Sequence, residues 1–216
     1  MSGHHPSADC LADYARGSLR EGAMLVVACH TETCERCRQE AGLLENLGGV
    51  LLEEVAPTAL SSGALQRAMA RLDASPSGAA AGHALPRFLD GLGAPRALAD
   101  KTIGSRRWAT PNIWFAPVRM AGETASRTYL VCGRSNARIP LHAHGGLELT
   151  QVLWGSFSDP SGTYARGDFV AVREDTQHAL FVTGSSPCLC LIDSDTPMRL
   201  ASYTARLLQT LLGQLY

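Results

Sequence analysis

The stretch His142-Ala-His144-Gly-Gly-Leu-Glu148-Leu-Thr-Gln-Val-Leu-Trp-Gly155 decides what the larger part of this chain becomes. His142 and His144 are two apart, so on a strand both imidazoles point to one face. Gly145 and Gly146 permit a tight turn, which swings Glu148 back toward the same point from the next strand. Further along stand Gly167-Asp168 and His178. A third imidazole from His178 completes a set of three nitrogens and one carboxylate, suited to zinc, iron, manganese or nickel.

Around this stretch the apolar period is two. Arg127–Cys132, Leu147–Ser158, Asp168–Val172, His178–Val182 and Cys188–Ile192 read as short strands separated by Gly, Asn, Asp, Ser and Pro. Such a run predicts an antiparallel β-sandwich or barrel. Cys188 and Cys190, at i and i+2, share a strand face and are a candidate redox pair. Cys132 reads as a core residue. The closing LLQTLLGQLY returns to helical spacing at Leu207, Leu208, Leu211, Leu212 and Leu215.

Upstream, ASPSGAAAGHALP over residues 74–86 has the composition of a linker. The expected organisation is a helical unit over 1–75, a linker over 76–86 and a β unit over 87–216. Within the first unit, Leu11, Tyr14 and Ala15 predict a helix stopping at Gly17, and Ser18-Leu-Arg-Glu21 is a capping-box pattern opening a second. Leu43, Leu44, Leu47, Val50 and Leu51 mark a third, with a bend expected at Gly48-Gly49. Leu65, Met69 and Leu72 share one face of a fourth. Four short helices make a marginal core, which a structural metal would reinforce.

The ligands for such a metal lie in His30-Thr-Glu-Thr-Cys34-Glu-Arg-Cys37. On one straight helix Cys37 would lie about 10 Å beyond His30, at about 1.5 Å per residue. Zinc holds its donors at about 2.0–2.3 Å, so the helix must break near Cys34. Cys29 is turned about 100° from His30 and faces away. The fourth ligand comes from elsewhere: His5 is favoured, being nearest the first ordered turn on a free segment, with His4 and Cys10 as alternatives.

Composition narrows the remaining possibilities. The longest apolar run, Ala23–Cys29, is far too short to span a membrane, and MSGHHPSADC has no signal-peptide core. A soluble, cytoplasmic chain is expected, in which seven cysteines act as ligands, redox thiols or core residues rather than as disulfides. Residues 1–74 carry six Arg against ten Asp or Glu. Neither half has the basic surface of a direct DNA binder, while the acidic first part suits a basic protein partner.

His5, His30, Cys34 and Cys37, flanked by helices, resemble the zinc-containing anti-sigma domain. The spacing from His142 to Gly155 matches the first cupin motif, with Asn136 where that family has glycine. The second motif is partial: Gly167 and His178 are kept, but Arg173, Asp175 and Val182 depart from it. A helical HxxxCxxC unit followed by a cupin resembles the ChrR family of transcriptional anti-sigma factors over nearly the whole chain. Leu25-Val-Val-Ala28, Gly49–Glu54 and Gly146–Thr150 share that look. The resemblance implies an α+β, two-domain protein: a small four-helix zinc-binding anti-sigma domain, then an antiparallel cupin barrel or jelly roll. It implies a structural zinc in the first domain and a second divalent metal, zinc first among the choices, on His142, His144, Glu148 and His178. It further implies inhibition of an extracytoplasmic-function sigma factor, with the cupin responding to singlet oxygen, related oxidants or organic peroxides, and no catalysis. The runner-up is a cupin metalloenzyme, an oxygenase or isomerase, with an accessory zinc module. Open coordination positions would serve it, but no separate acid/base constellation accompanies them. A ligand-binding cupin without catalysis would leave HTETCERC without a purpose.

Overall fold

The change of period near residue 74 is a change from helix to sheet. The computed structural model describes residues 3–74, 86–89, 91, 94–120, 127–174 and 176–200. The expected linker, apart from Pro86, and the expected C-terminal helix lie outside the described residues, as does Asp175.

Four helices come first: α1 (Ala8–Ala15), α2 (Glu21–Thr33), α3 (Glu35–Glu53) and α4 (Ala64–Asp73). The Ser7 hydroxyl caps α1 by accepting from the Cys10 N–H at 3.2 Å, and Gly17, at φ +70°, closes its turn. Ser18 does not cap α2. Its hydroxyl donates to the Asp13 carbonyl at 3.1 Å to finish the first turn, and Arg20 occupies the cap. Nor does α3 bend at Gly48-Gly49. It runs unbroken for 19 residues, because the roughly 1 kcal/mol cost of each glycine does not outweigh the helical ladder.

Two 3-10 turns, Arg87–Leu89 and Arg96–Leu98, lead into twelve strands among the described residues. They are β1 (Thr102–Ile103), β2 (Arg107–Thr110), β3 (Ile113–Arg119), β4 (Thr128–Gly133), β5 (Arg138–Ala143) and β6 (Glu148–Trp154), followed by β7 (Ser156–Asp159), β8 (Gly162–Ala165), β9 (Phe169–Val172), β10 (His178–Val182), β11 (Cys188–Ser194) and β12 (Arg199–Leu200). All pairings are antiparallel. One sheet runs β1-β3-β4-β11-β6-β9, with β2 also on β3; the other runs β12-β5-β10-β7-β8. The run expected over 147–158 is two strands. Gly155, at φ +71°, breaks it, and a β-carbon there would collide with the Pro187 carbonyl.

The larger sheet is apolar on both faces. Val152, Val170, Cys188 and Cys190 face the second sheet inside the barrel. Leu149, Leu153, Phe169, Leu189 and Leu191 face outward into a core shared with Leu11, Leu25, Val26 and Val27 of α1 and α2. The helices therefore do not close on themselves: α1 and α2 roof the sheet, and α4 buries no residue at all. Burial on both faces also explains why β3, IWFAPVR, escaped the alternation test.

Polar contacts register the roof. The Arg20 guanidinium reaches the buried Asp193 carboxylate at 2.8 Å and that of Asp195 at 2.7 Å. Glu32 accepts from the N–H groups of Arg96 and Ala97, both at 2.7 Å. The Phe169 N–H donates to the His4 carbonyl at 3.1 Å, which lays the N-terminal segment along the start of β9.

Candidate metal centres

The break required by HxxxCxxC falls at Cys34. Its φ of −109° and ψ of 104° are extended, so α2 ends at Thr33 and α3 opens at Glu35. His30, Cys34 and Cys37 then converge, and the N-terminal segment delivers His5 to the same point. One ligand atom from each of the four lies within 4.8 Å of all the others. His5 Nδ1 is 3.4 Å from both Cys34 Sγ and Cys37 Sγ. A tetrahedral zinc holding nitrogen at about 2.0–2.1 Å and sulfur at about 2.3 Å separates them by about 3.5 Å, so the cluster is sized for such an ion. His4 and Cys10 are not in the cluster. His4 turns to Asp168 instead, its Nδ1 3.4 Å from the carboxylate.

His30 is fully buried, and its two ring nitrogens are distinguished. Nδ1 lies 2.9 Å from Gln151 Oε1, while Nε2 has no protein partner. An orphaned buried nitrogen is costly unless a cation takes it. Burial lowers the His30 pKa, which keeps the imidazole in its neutral, ligating form. Burial, with the neighbouring Cys34, pushes the Cys37 thiol up to about 12, so a bound cation would be needed to hold the thiolate at neutral pH.

The second set forms inside the barrel. His142 and His144 lie on or just after β5, and His178 opens β10 directly across from His142. One nitrogen from each imidazole lies within 4.8 Å of the other two. The Pro140 carbonyl, 2.8 Å from His142 Nδ1, can only accept, so that nitrogen carries the proton and Nε2 is left as the ligand atom. Ser194 Oγ donates to the Thr196 carbonyl and is thereby an acceptor for His144 Nδ1 at 3.4 Å, fixing the same tautomer. Both His178 nitrogens lack hydrogen-bond partners, although Asp159 Oδ2 stands 3.8 Å from Nδ1.

Glu148 stands at the edge of the three-imidazole set, with its carboxylate 2.9 Å from His144 Nε2. Burial pushes its pKa up, but the adjoining His144 and the other imidazoles around it outweigh that and hold it low. Burial lowers His142 to about 4 and lowers His178 as well. Three imidazoles beside a carboxylate form a donor set that fits a divalent cation. Cys188 and Cys190 line the same apolar cavity as Glu148 and His178, with their sulfurs 3.7 Å apart. The contact with Cys188, reinforced by burial, raises the Cys190 pKa and keeps it a thiol. Cys132 is half-buried and pushed up to about 11 by its burial, as its core assignment requires.

Other parts of the site answer to weaker signals. Asn136 adopts φ +64°, the left-handed conformation that asparagine tolerates, and so does the work of the glycine it replaces. Asp168 accepts from the N–H groups of Gly3 and His4 at 2.6 and 3.2 Å and from Ala165 at 2.8 Å. Burial raises its pKa, but these backbone bonds prevail and lower it, anchoring the segment that carries His5. Gln151 is one amide within the buried strand ELTQVLW, and that incongruity is the signal that could have found it.

Residues 101–195 match the family model described as the ChrR Cupin-like domain. The chain is 38% identical over 213 residues to the anti-sigma-E factor ChrR of Cereibacter sphaeroides, spanning 95% of this chain and 96% of that relative. It is also similar to the crystal structure of Rhodobacter sphaeroides SigE in complex with the anti-sigma ChrR. There the TM-score is 0.70 at 35% identity, covering 89% of this chain and 98% of that one.

Proposed function

This chain belongs to the ChrR family of anti-sigma factors, and from that membership we propose that it binds an extracytoplasmic-function sigma factor and keeps it from RNA polymerase. The observation that carries the reading is the apolar surface left bare beyond the first metal cluster. Leu43, Leu47, Val50, Leu51 and Leu52 of α3 and Leu65, Met69 and Leu72 of α4 are all at least half exposed. Exposed apolar side chains repeated along two successive helices mark a protein partner, which the helices can close on as a clamp.

The cluster of His5, His30, Cys34 and Cys37 takes a structural zinc, which welds the base of the clamp to the N-terminal segment. The barrel cluster of His142, His144 and His178, with Glu148, takes a second divalent cation, zinc or else iron, manganese or nickel, and forms the sensing part. Cys188 and Cys190 border its cavity, where an oxidant entering the barrel would meet metal and thiols together. The organisation is thus a clamp over 1–75, a linker over 76–86 and a sensor over 87–216, acting in the cytoplasm without direct contact with DNA. No described helix is long and apolar enough to cross a membrane.

Affinity capture from the native host tests the clamp. The wild-type chain should retain a sigma factor in near-stoichiometric amount, and the Cys34→Ser, Cys37→Ser chain should not. Equal retention by both would remove the zinc clamp from the account. Substituting His142, His144, Glu148 or His178 should leave capture intact and blunt release by singlet oxygen; normal release would refute the sensor assignment.

A further inference from the structure

Gln151 is a buried amide flanked by Leu149 and Leu153 in the apolar core beneath the helices. Left unpaired there, it would cost on the order of 1–3 kcal/mol. Its Nε2 donates to the Val152 carbonyl at 3.3 Å, which settles the orientation of the amide and turns Oε1 toward His30 Nδ1, 2.9 Å away. An amide oxygen can only accept. His30 Nδ1 is therefore the protonated nitrogen, and Nε2, buried and without a partner, presents its lone pair to His5, Cys34 and Cys37.

We propose that Gln151 is a positioning residue of the first metal centre, supplied by the barrel rather than by the helices, which fixes the tautomer and ring orientation of His30. The inference rests on the reading of this cluster as a metal site. Gln151 also suits the charge of that site: two thiolates neutralise a divalent cation, and a neutral acceptor leaves the buried assembly uncharged. Because β6 presents Glu148 to the barrel cavity and Gln151 to His30, the barrel sets the affinity of the clamp's metal.

Cobalt(II) titration of the metal-free, full-length chain tests this, because only the first centre has sulfur ligands and only it gives a thiolate-to-cobalt charge-transfer band. Gln151→Met keeps the volume and removes the acceptor, and it should weaken cobalt binding at that band by about 10- to 100-fold, the usual loss for such a partner. Gln151→Asn withdraws the acceptor by one methylene and should weaken it in the same direction, which keeps the test decisive if the methionine chain does not fold. Gln151→Glu retains an acceptor and should bind within about threefold of wild type or more tightly. Unchanged affinity in the Met or Asn chains, or equal losses in all three, would overturn the proposal. A wild-type chain with no charge-transfer band would instead overturn the reading of the cluster as a metal site.

Discussion

Gly22 lies beneath the carboxylate of Asp193, so close that a β-carbon would collide with that carboxylate and with the Thr128 hydroxyl. Thr128 Oγ1 donates to Asp193 Oδ1 at 2.8 Å, and Arg20 holds the other oxygen, so the carboxylate cannot move aside without losing a partner. Gly22→Ala should therefore lift the start of α2 from the sheet and cost about 1–3 kcal/mol. Chemical denaturation measures it. A midpoint equal to wild type would mean that the helical roof and sheet are not held at this point.

Metal content should separate the two centres. On the proposed reading each candidate cluster takes one ion, so Cys34→Ser with Cys37→Ser should lower the bound metal from two per chain to one. His142→Ala with His144→Ala should remove the other ion and leave the thiolate-bound one in place. Elemental analysis after gel filtration gives both numbers, and loss of both ions from either variant would contradict independent sites.

The exposed apolar face should be dispensable for folding and indispensable for the partner. Leu47→Glu and Leu51→Glu place charge on side chains more than half exposed, so the thermal midpoint should stay close to wild type, with changes of about 0.5 kcal/mol or less. Affinity for the sigma factor should fall by at least about tenfold, the equivalent of 1.4 kcal/mol. Calorimetric titration would show it, and unaltered affinity would place the interface elsewhere.

Acid should destabilise the metal-free chain through its buried imidazoles. His142 is lowered to about 4 by burial, against about 6.5 unfolded, so the unfolded state binds more protons between those values. The penalty is absent above about pH 6.5, grows as pH falls, and is complete below about 4, where His142 alone accounts for about 3 kcal/mol. His30 and His178, also lowered by burial, act in the same direction. Urea midpoints of the stripped protein from pH 7.5 to 4.5 should fall accordingly, and a flat profile would mean that these imidazoles are accessible to protons in the folded state.

Both side-chain clusters were legible because their spacing is a local property. HxxxCxxC forces a helix break at Cys34, and HxH on a strand puts two imidazoles on one face. His5 could be preferred but not fixed from spacing, because the bonds that bring it in come from Asp168 and Phe169, more than 160 residues away. Strand β3 and the shared core were hidden for a related reason. Alternation reports a strand with one wet face, and this sheet has none where α1 and α2 cover it. The capping box at Ser18 failed because α2 starts later, with Arg20 at its cap, and the Ser18 oxygen instead accepts from the Arg16 side chain at 2.8 Å.

The separation of Glu148 and Gln151 along β6 has a consequence for how this protein can vary. In a strand, parity is address: an odd offset sends two side chains to opposite faces, and an even offset sends them to the same one. Three positions place a carboxylate in the barrel and an amide against the clamp. Loss or gain of a single residue between them would deliver both groups to one side and leave the other centre without its partner. Exchanging another side chain of β6 disturbs packing at one place, whereas changing its length between these two positions unseats both centres at once.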